Sequence, residues 1–362
     1  MNIALLGYGT VGKSVEEILQ KMDAGIRIKR ILRRPGKADG PLMTERLSDI
    51  LEDPDVSCVV EALSGKEPAF SYIREALSAG KHVVSSNKAA LAADLPGLLR
   101  LAKKHGVSLL YEASCGGGIP WLENIKKAAK LDRITALSGI LNGTGNYILD
   151  HMEREGAGFS EVLSSAQRLG YAEADPTADI GGYDLFNKAL ISCTLAYGSE
   201  ITAAFPVAGI ELLTGDILKG FLRDGKHLRF MMRSVRRGDR YAVGVAPMVL
   251  SAGSIEANVH ENFNCATLCG DLVGELKFYG QGAGGYPTAD AVVQDLILLR
   301  DQKAEPVVLG KTLCYEEDLL FGIGHFPDGT RCGTLSELCR MAKAEQVFMA
   351  FEEMPRDQRQ IS

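Results

Sequence analysis

Between Gly170 and Lys188 the chain reads GYAEADPTADIGGYDLFNK, which gathers four carboxylates (Glu173, Asp175, Asp179, Asp184) and one lysine in a short stretch. Asp184 and Lys188 are four residues apart and share a face if the segment is helical. The plain reading of such a pair is a surface ion pair worth about 0.3–0.5 kcal/mol. Here the helical pattern from Tyr183 to Ala196 carries almost no other charge and continues into apolar Leu195. A lysine on such a helix is expected to be partly desolvated, which moves an ammonium toward the range useful for general acid/base work. Acids that hold a small polar substrate and a lysine that hands it a proton point to an enzyme.

A second kind of chemistry opens the chain. Asn2 to Leu6 (NIALL) is a β-type run; Gly7-Tyr8-Gly9-Thr10-Val11-Gly12 follows, then an amphipathic stretch to about Gln20 with apolar Val15, Ile18 and Leu19. In a strand–turn–helix unit Gly7 permits the tight turn, Gly9 lets the backbone approach a pyrophosphate, and Gly12 lets helix and strand pack closely. The first helical residues, Thr10 and Val11, supply amide donors and a partial positive charge. The alternative is a tight βα turn with no ligand. Ile26 to Leu32 reads as the next strand, and at its end stand Arg33, Arg34 and Lys37 where an NAD enzyme places an acid. Guanidinium groups bind a 2′-phosphate that an acid would repel, so NADP is expected as the preferred cofactor and NAD as the other. Solvated loop cations are the competing reading.

Further strand-like runs, Val56–Ala62, Val83–Ser85 and Ser108–Glu112, alternate with helical patterns such as Pro68–Ala79 and Leu95–His105. This alternation implies parallel strands with right-handed crossovers, an α/β doubly wound, Rossmann-type nucleotide-binding domain. Ser85-Ser86-Asn87-Lys88 follows a strand, where open α/β sheets bind ligands, so Lys88 is placed to reach cofactor or substrate; equally, Asn87 is placed to cap the next helix with Lys88 in solvent. Tyr111 to Pro120 (YEASCGGGIP) also follows a strand, and its three glycines serve either a ligand or ion or an interdomain hinge. Beyond Ile134–Leu141, the turn Asn142-Gly143-Thr144-Gly145-Asn146 leads into a helix and presents ligand donors or only a turn. Tyr241–Leu250 and Leu272–Tyr279 read as strands of a mixed sheet in a second, α+β domain. A second glycine loop, Gly280 to Thr288, opens a helix through Ala291, Val292, Leu296 and Leu299. The expected divisions are 1–133, 134–285, and 286–362 as a helix returning to the nucleotide domain plus a C-terminal segment ending in an acidic, Gln-bearing tail.

Composition narrows the classes. With 362 residues, 46% hydrophobic, 24% charged and net charge -6, the chain carries a large core and lacks the excess of cations that nucleic acid or an anionic membrane surface calls for. The apolar run Ala189–Tyr197 is far shorter than the roughly 20 residues needed to span a bilayer. Met1 leads straight into a strand-like run instead of a signal peptide, so the cytoplasm is the expected location. Eight cysteines without zinc-ribbon spacing read as buried thiols.

Six segments in order, GYGTVG at Gly7, NKA at Asn87, EASCGGGIP at Glu112, LNGTGNYIL at Leu141, the Gly170–Lys188 stretch and GQGAGGYPTADAVVQDL at Gly280, resemble homoserine dehydrogenase from Met1 to about Arg300. The resemblance implies NAD(P)-linked interconversion of L-homoserine and L-aspartate 4-semialdehyde in threonine and methionine biosynthesis. It implies that Lys188 moves the proton on the substrate oxygen, that Asp184 orients it, and that Lys88 shares in substrate binding or proton transfer. Glu173 and Asp179 match the acids that hold the substrate ammonium. Gly143, Thr144, Gly282 and Ala283 match substrate and cofactor contacts. A sodium-type cation held by main-chain oxygens of Glu112, Cys115, Gly117 and Ile119, and a homodimer through the second domain, are also implied. The roughly 60 residues after Arg300 are few for a separate regulatory domain, so threonine inhibition through one is not expected. A related NAD(P)-dependent reductase of another short amino acid or alcohol would keep Lys88 and Lys188 without needing both Glu173 and Asp179. A silent NADP-binding regulator would have lost the lysines.

Overall fold

A computed structural model describes residues 1–354; residues 355–362, the end of the acidic tail, lie outside the described residues. The chain divides into two compact units, Met1–Asn124 with Ala283–Gly310, and Ile125–Gly282 with the chain from Lys311 onward.

In the first unit Asn2–Leu6 (β1), Arg27–Leu32 (β2), Met43–Thr44 (β3), Cys58–Glu61 (β4), His82–Ser85 (β5) and Leu109–Leu110 (β6) form a parallel sheet in the order β3-β2-β1-β4-β5-β6. Strands of such a sheet are covered on both faces and read as continuous apolar runs; Ile3 to Leu6 and Cys58 to Val60 are buried throughout. The order reverses at β1, which pairs with both β2 and β4, and this switch point opens a crevice at the strands' carboxyl ends. The Gly285–Arg300 helix belongs here: Ala289, Val292 and Leu296 join Ile3, Leu5 and Val15 in one core. The strand expected over Ser108–Glu112 shrinks to β6, because Glu112 leaves it. Its carboxylate accepts from the backbone N–H of Leu122 (3.0 Å) and Glu123 (2.7 Å) at the start of the Trp121–Ala129 helix, and Glu112–Ser114 becomes a 3₁₀ turn.

In the second unit Ile134–Ile140 (β7), Lys226–Arg237 (β8), Arg240–Ser251 (β9), Phe263–Gly270 (β10), Gly274–Gln281 (β11), Cys314–Tyr315 (β12), Phe321–Phe326 (β13), Gly329–Thr334 (β14) and Ala350–Glu353 (β15) make a mixed sheet. Its order among the described residues is β11-β10-β7-β8-β9-β15-β13-β14, with β12 parallel to β9. β8 was not marked in the sequence, because Arg229, Arg233 and Arg236 interrupt its apolar pattern. Arg229 is nonetheless only 1% exposed, its charge matched by Glu153 at 2.7 Å. Phe230 is the pad on one face. A Cβ on Gly145 would lie 3.0 Å from its ring, and one on Gly182 (φ +85°) 3.1 Å, so glycines let the Gly143–Glu155 and Tyr183–Tyr197 helices approach. Successive strand residues face opposite ways, and on the other face Met231, Ala246, Met248 and Phe351 pack with Leu335 and Leu338 of the Leu335–Glu345 helix. The segment from Lys311 thus extends the second unit's sheet through Phe351, opposite Met248 on β9.

Not all thiols are buried as expected: Cys314 and Cys332 are exposed, on β12 and on β14, while burial pushes Cys193 and Cys339 up to about 12. Among the described residues no helix is long and apolar enough to cross a membrane.

Phe351 is fully buried at the junction of β15 with β9. Phe351→Ala is expected to lower stability by about 3–5 kcal/mol, as lost burial plus a cavity, in a urea titration followed by circular dichroism. An unshifted midpoint would separate the C-terminal segment from the unit's cooperative core.

Candidate active site

The Tyr183–Tyr197 helix is bounded by two left-handed glycines, Gly182 and Gly198, and buries most of its length. Lys188 is 7% exposed and Asp184 5%. Burying these charges is tolerable only if they are paired and hydrogen-bonded, and the structure supplies both. Lys188 Nζ donates to Asp184 Oδ2 at 2.8 Å and to the carbonyl oxygen of Leu141 at 2.5 Å. Asn142 Nδ2 donates to the same Asp184 Oδ2 and to Asp179 Oδ1, both at 2.8 Å. Asn142 Oδ1 accepts from Gly145 N at 2.6 Å and caps the Gly143–Glu155 helix.

Thr144 Oγ1 donates to the carbonyl of Tyr171 at 2.6 Å, tying the start of the Gly170–Lys188 loop to the same helix. Gly143 has no room for a side chain, since its Cβ would lie 2.7 Å from the carbonyl oxygen of Asn262. Lys188, Asp184, Asp179, Thr144 and Gly143 are therefore brought together. Glu173 is not: it is exposed, its main-chain oxygen accepts from Gln167 Nε2 at 3.1 Å, and among the described residues no hydrogen bond joins its carboxylate to the cluster.

In the first unit, the turn after β1 has the form a nucleotide phosphate needs. Gly7 has φ +98°, and its Cβ would lie 2.7 Å from the carbonyl oxygen of Ala62; that of Gly12 would lie 2.4 Å from the carbonyl of Gly7; Gly9 has open space around it. The Thr10–Lys21 helix starts without a side-chain cap, which leaves the amides of its first turn, at Thr10, Val11 and Gly12, to a ligand. Arg33 is held at this turn, donating to the carbonyls of Tyr8 (3.3 Å) and Lys37 (3.2 Å) with its guanidinium 5.4 Å from the centre of the Tyr8 ring. Arg34 is exposed. Asn87 does cap the helix that Lys88 begins, its Oδ1 accepting from Ala90 N at 3.1 Å, and Lys88 is half-buried instead of fully solvated. Glu112, Cys115, Gly117 and Ile119 lie along one turn, with Gly116 and Gly117 at φ +86° and +57°. Their carbonyls are engaged at two points, Glu112 accepting from Cys115 N (3.3 Å) and Ile119 from Trp121 N (2.7 Å).

Residues 7–112 match a family model described as the homoserine dehydrogenase NAD-binding domain, and residues 120–297 match the homoserine dehydrogenase model. Curated homoserine dehydrogenases of Bacillus subtilis and Synechocystis are 36% and 38% identical, each alignment covering 82% of this chain and 72% of the relative. A solved homoserine dehydrogenase from Thiobacillus denitrificans superposes with a TM-score of 0.85 at 29% identity, covering 98% of both chains. The chain belongs to the homoserine dehydrogenase family. Its reaction is the NAD(P)-linked interconversion of L-homoserine and L-aspartate 4-semialdehyde, which sets aside the related reductase of another short amino acid or alcohol and the silent regulator.

For a homoserine dehydrogenase the instructive additions are residues that sequence patterns did not single out. Asn142 stood in a turn between strand and helix; its place just before the helix is the signal for a cap, but bridging two carboxylates is visible only after folding. Asn264, fully buried on β10, has neither end of its amide hydrogen-bonded among the described residues, and Gly282 packs directly on it, a Cβ there falling 1.8 Å from Asn264 Nδ2.

Asn142→Ser keeps a capping oxygen but removes the amide that bridges Asp179 and Asp184. Stability should fall by about 1–3 kcal/mol, since buried Asp184 loses a donor, while kcat falls about tenfold or more, read from thermal melts alongside steady-state rates on homoserine. Unchanged turnover would show that the bridge does not set the geometry of the ion pair.

Proposed function

We propose that the buried Lys188–Asp184 pair is the proton-handling centre of this dehydrogenase. The observation that carries the reading is that an ammonium almost closed to water is gripped by one carboxylate and one carbonyl, with Asn142 extending the array to a second carboxylate. In the reducing direction the Lys188 ammonium gives a proton to the aldehyde oxygen, and in the oxidising direction Lys188, as the neutral amine, takes the hydroxyl proton of homoserine. Asp184 holds the lysine in place and balances its charge. Asp179, with Glu173 from the exposed loop, provides the negative charge that selects the substrate ammonium, and Gly143 and Thr144 lie along its approach. Lys88, at the carboxyl end of β5, shares in binding the substrate.

The glycine turn fits a dinucleotide because Gly9 leaves space over an uncapped helix terminus while Gly7 and Gly12 close the turn beneath. Gly7, Gly9, Thr10, Val11 and Gly12 would hold the cofactor's pyrophosphate, with Gly282 and Ala283 as further contacts. When bound, the nicotinamide accepts or returns the hydride. Arg33, already anchored at Tyr8, favours the 2′-phosphate of NADP, and exposed Arg34 adds charge that solvent screens. The carbonyls of Glu112, Cys115, Gly117 and Ile119 fit a monovalent cation, since a carbonyl that accepts one N–H keeps a second lone pair. The enzyme works in the cytoplasm as a homodimer through its second unit.

Lys188→Ala is expected to lower kcat by about 100-fold, the scale of a lost general acid/base, with the cofactor dissociation constant unchanged. Rates taken separately with each nucleotide should favour NADP in kcat/KM. Near-normal turnover of the variant would remove Lys188 from the mechanism, and a tenfold preference for NAD would remove the assignment of Arg33.

A further inference from the structure

Glu61, the last residue of β4, is fully buried and has no part in the chemistry described so far. Its Oε2 accepts from the Ser85 hydroxyl at 2.6 Å; its Oε1 accepts from Leu63 N at 2.8 Å and from Asn87 Nδ2 at 3.3 Å. These partners are a hydroxyl, a backbone amide and a side-chain amide, with no cation among them. Burial pushes the Glu61 carboxyl up, and the three donors oppose that shift. An acid in this setting is a poor source of stability, because an apolar residue of the same size would avoid the desolvation cost.

What the carboxyl does is join three pieces of chain at the sheet's switch point. Ser85 ends β5, and its hydroxyl also accepts from Asn87 N at 3.1 Å. Asn87 Nδ2 reaches beyond Glu61 to the carbonyls of Leu63 (3.2 Å) and Gly65 (2.7 Å), while its Oδ1 caps the helix begun by Lys88. The main chain repeats the link, since Ser86 N donates to the carbonyl of Glu61 at 3.1 Å. The next residue, Ala62, is the one whose carbonyl oxygen leaves Gly7 no room for a side chain. One carboxyl therefore sets the turn that carries Lys88 relative to the strand packed against the nucleotide turn.

We propose that Glu61 is a positioning residue for Lys88: it fixes the Ser85–Asn87 turn so that the lysine starts its helix at one place. The proposal rests on the reading that Lys88 serves the substrate. Glu61 touches neither reactant, and its effect passes through Asn87. Ser85 acts on the same path, because its hydroxyl bonds both Glu61 and the Asn87 amide.

The test is a double-mutant cycle on the intact enzyme with homoserine and NADP: wild type, Glu61→Gln, Lys88→Ala and the double variant. Glu61→Gln keeps size and one acceptor but replaces the oxygen that takes the Ser85 hydroxyl. It should lower kcat/KM for homoserine about tenfold, leave the cofactor dissociation constant within about twofold, and add less than about twofold to the loss already caused by Lys88→Ala. Losses that multiply in the double variant, or wild-type kinetics for Glu61→Gln, would overturn the proposal. Wild-type kinetics for Lys88→Ala alone would overturn the reading beneath it, and that outcome is visible in the single variant. If Glu61→Gln does not fold, Ser85→Ala breaks the same link from the other side, and the same sub-multiplicative pattern with Lys88→Ala is required.

Discussion

The second unit is organised around the cost of burying one ammonium. Lys188 lies on a helix with little contact with water, and an isolated charge there would cost several kcal/mol. Asp184 four residues earlier lowers that cost, but Asp184 is itself buried and needs donors. Asn142 supplies one and reaches Asp179 with the same nitrogen. Asn142 can do so only because it ends the β7 turn and caps the helix that follows, and that helix approaches the sheet because Gly145 leaves space for Phe230. Sheet, glycines, cap and ion pair thus form one dependent series, and Lys188, the proposed proton-handling group, is its last member.

The first unit solves a different problem by similar means. In the proposed reading, a phosphate would take amides and close backbone approach from the turn at Gly7 and Gly12, and a matching cation from Arg33, which is held at Tyr8. Its buried acids serve backbone geometry. Glu112 turns away from the strand to cap a helix, and Glu61 gathers the ends of β4 and β5. Both replace water with fixed donors, which makes the surrounding turns hard to deform.

What the sequence made legible were features of short range. The glycine turn was readable because three glycines at that spacing stand directly between a strand-like run and an amphipathic one, although the Ala62 carbonyl that crowds Gly7 comes from far along the chain, and the Asp184–Lys188 pair because helical spacing alone puts the two side by side. Charge on an apolar helix correctly signalled burial. Glu173, near the pair along the chain, is exposed while Asp184 and Lys188 are buried, a difference that spacing alone does not reveal. Strand β8 was hidden by arginines whose partners, such as Glu153, come from far along the chain. Asn142 and Glu61 were illegible for a related reason: their roles come from several partners at once, and only the folded sheet assembles them.

The central claim is that carboxylates select an amino-alcohol by its ammonium while Lys188 takes the proton of its alcohol. The most direct measurement compares the initial rate of cofactor reduction on L-homoserine with that on 4-hydroxybutanoate, which has the alcohol but no ammonium. The account predicts steady reduction with L-homoserine and a kcat/KM lower by about 100-fold or more without the ammonium, the scale of a lost charged contact. Equal rates on the two substrates would contradict it.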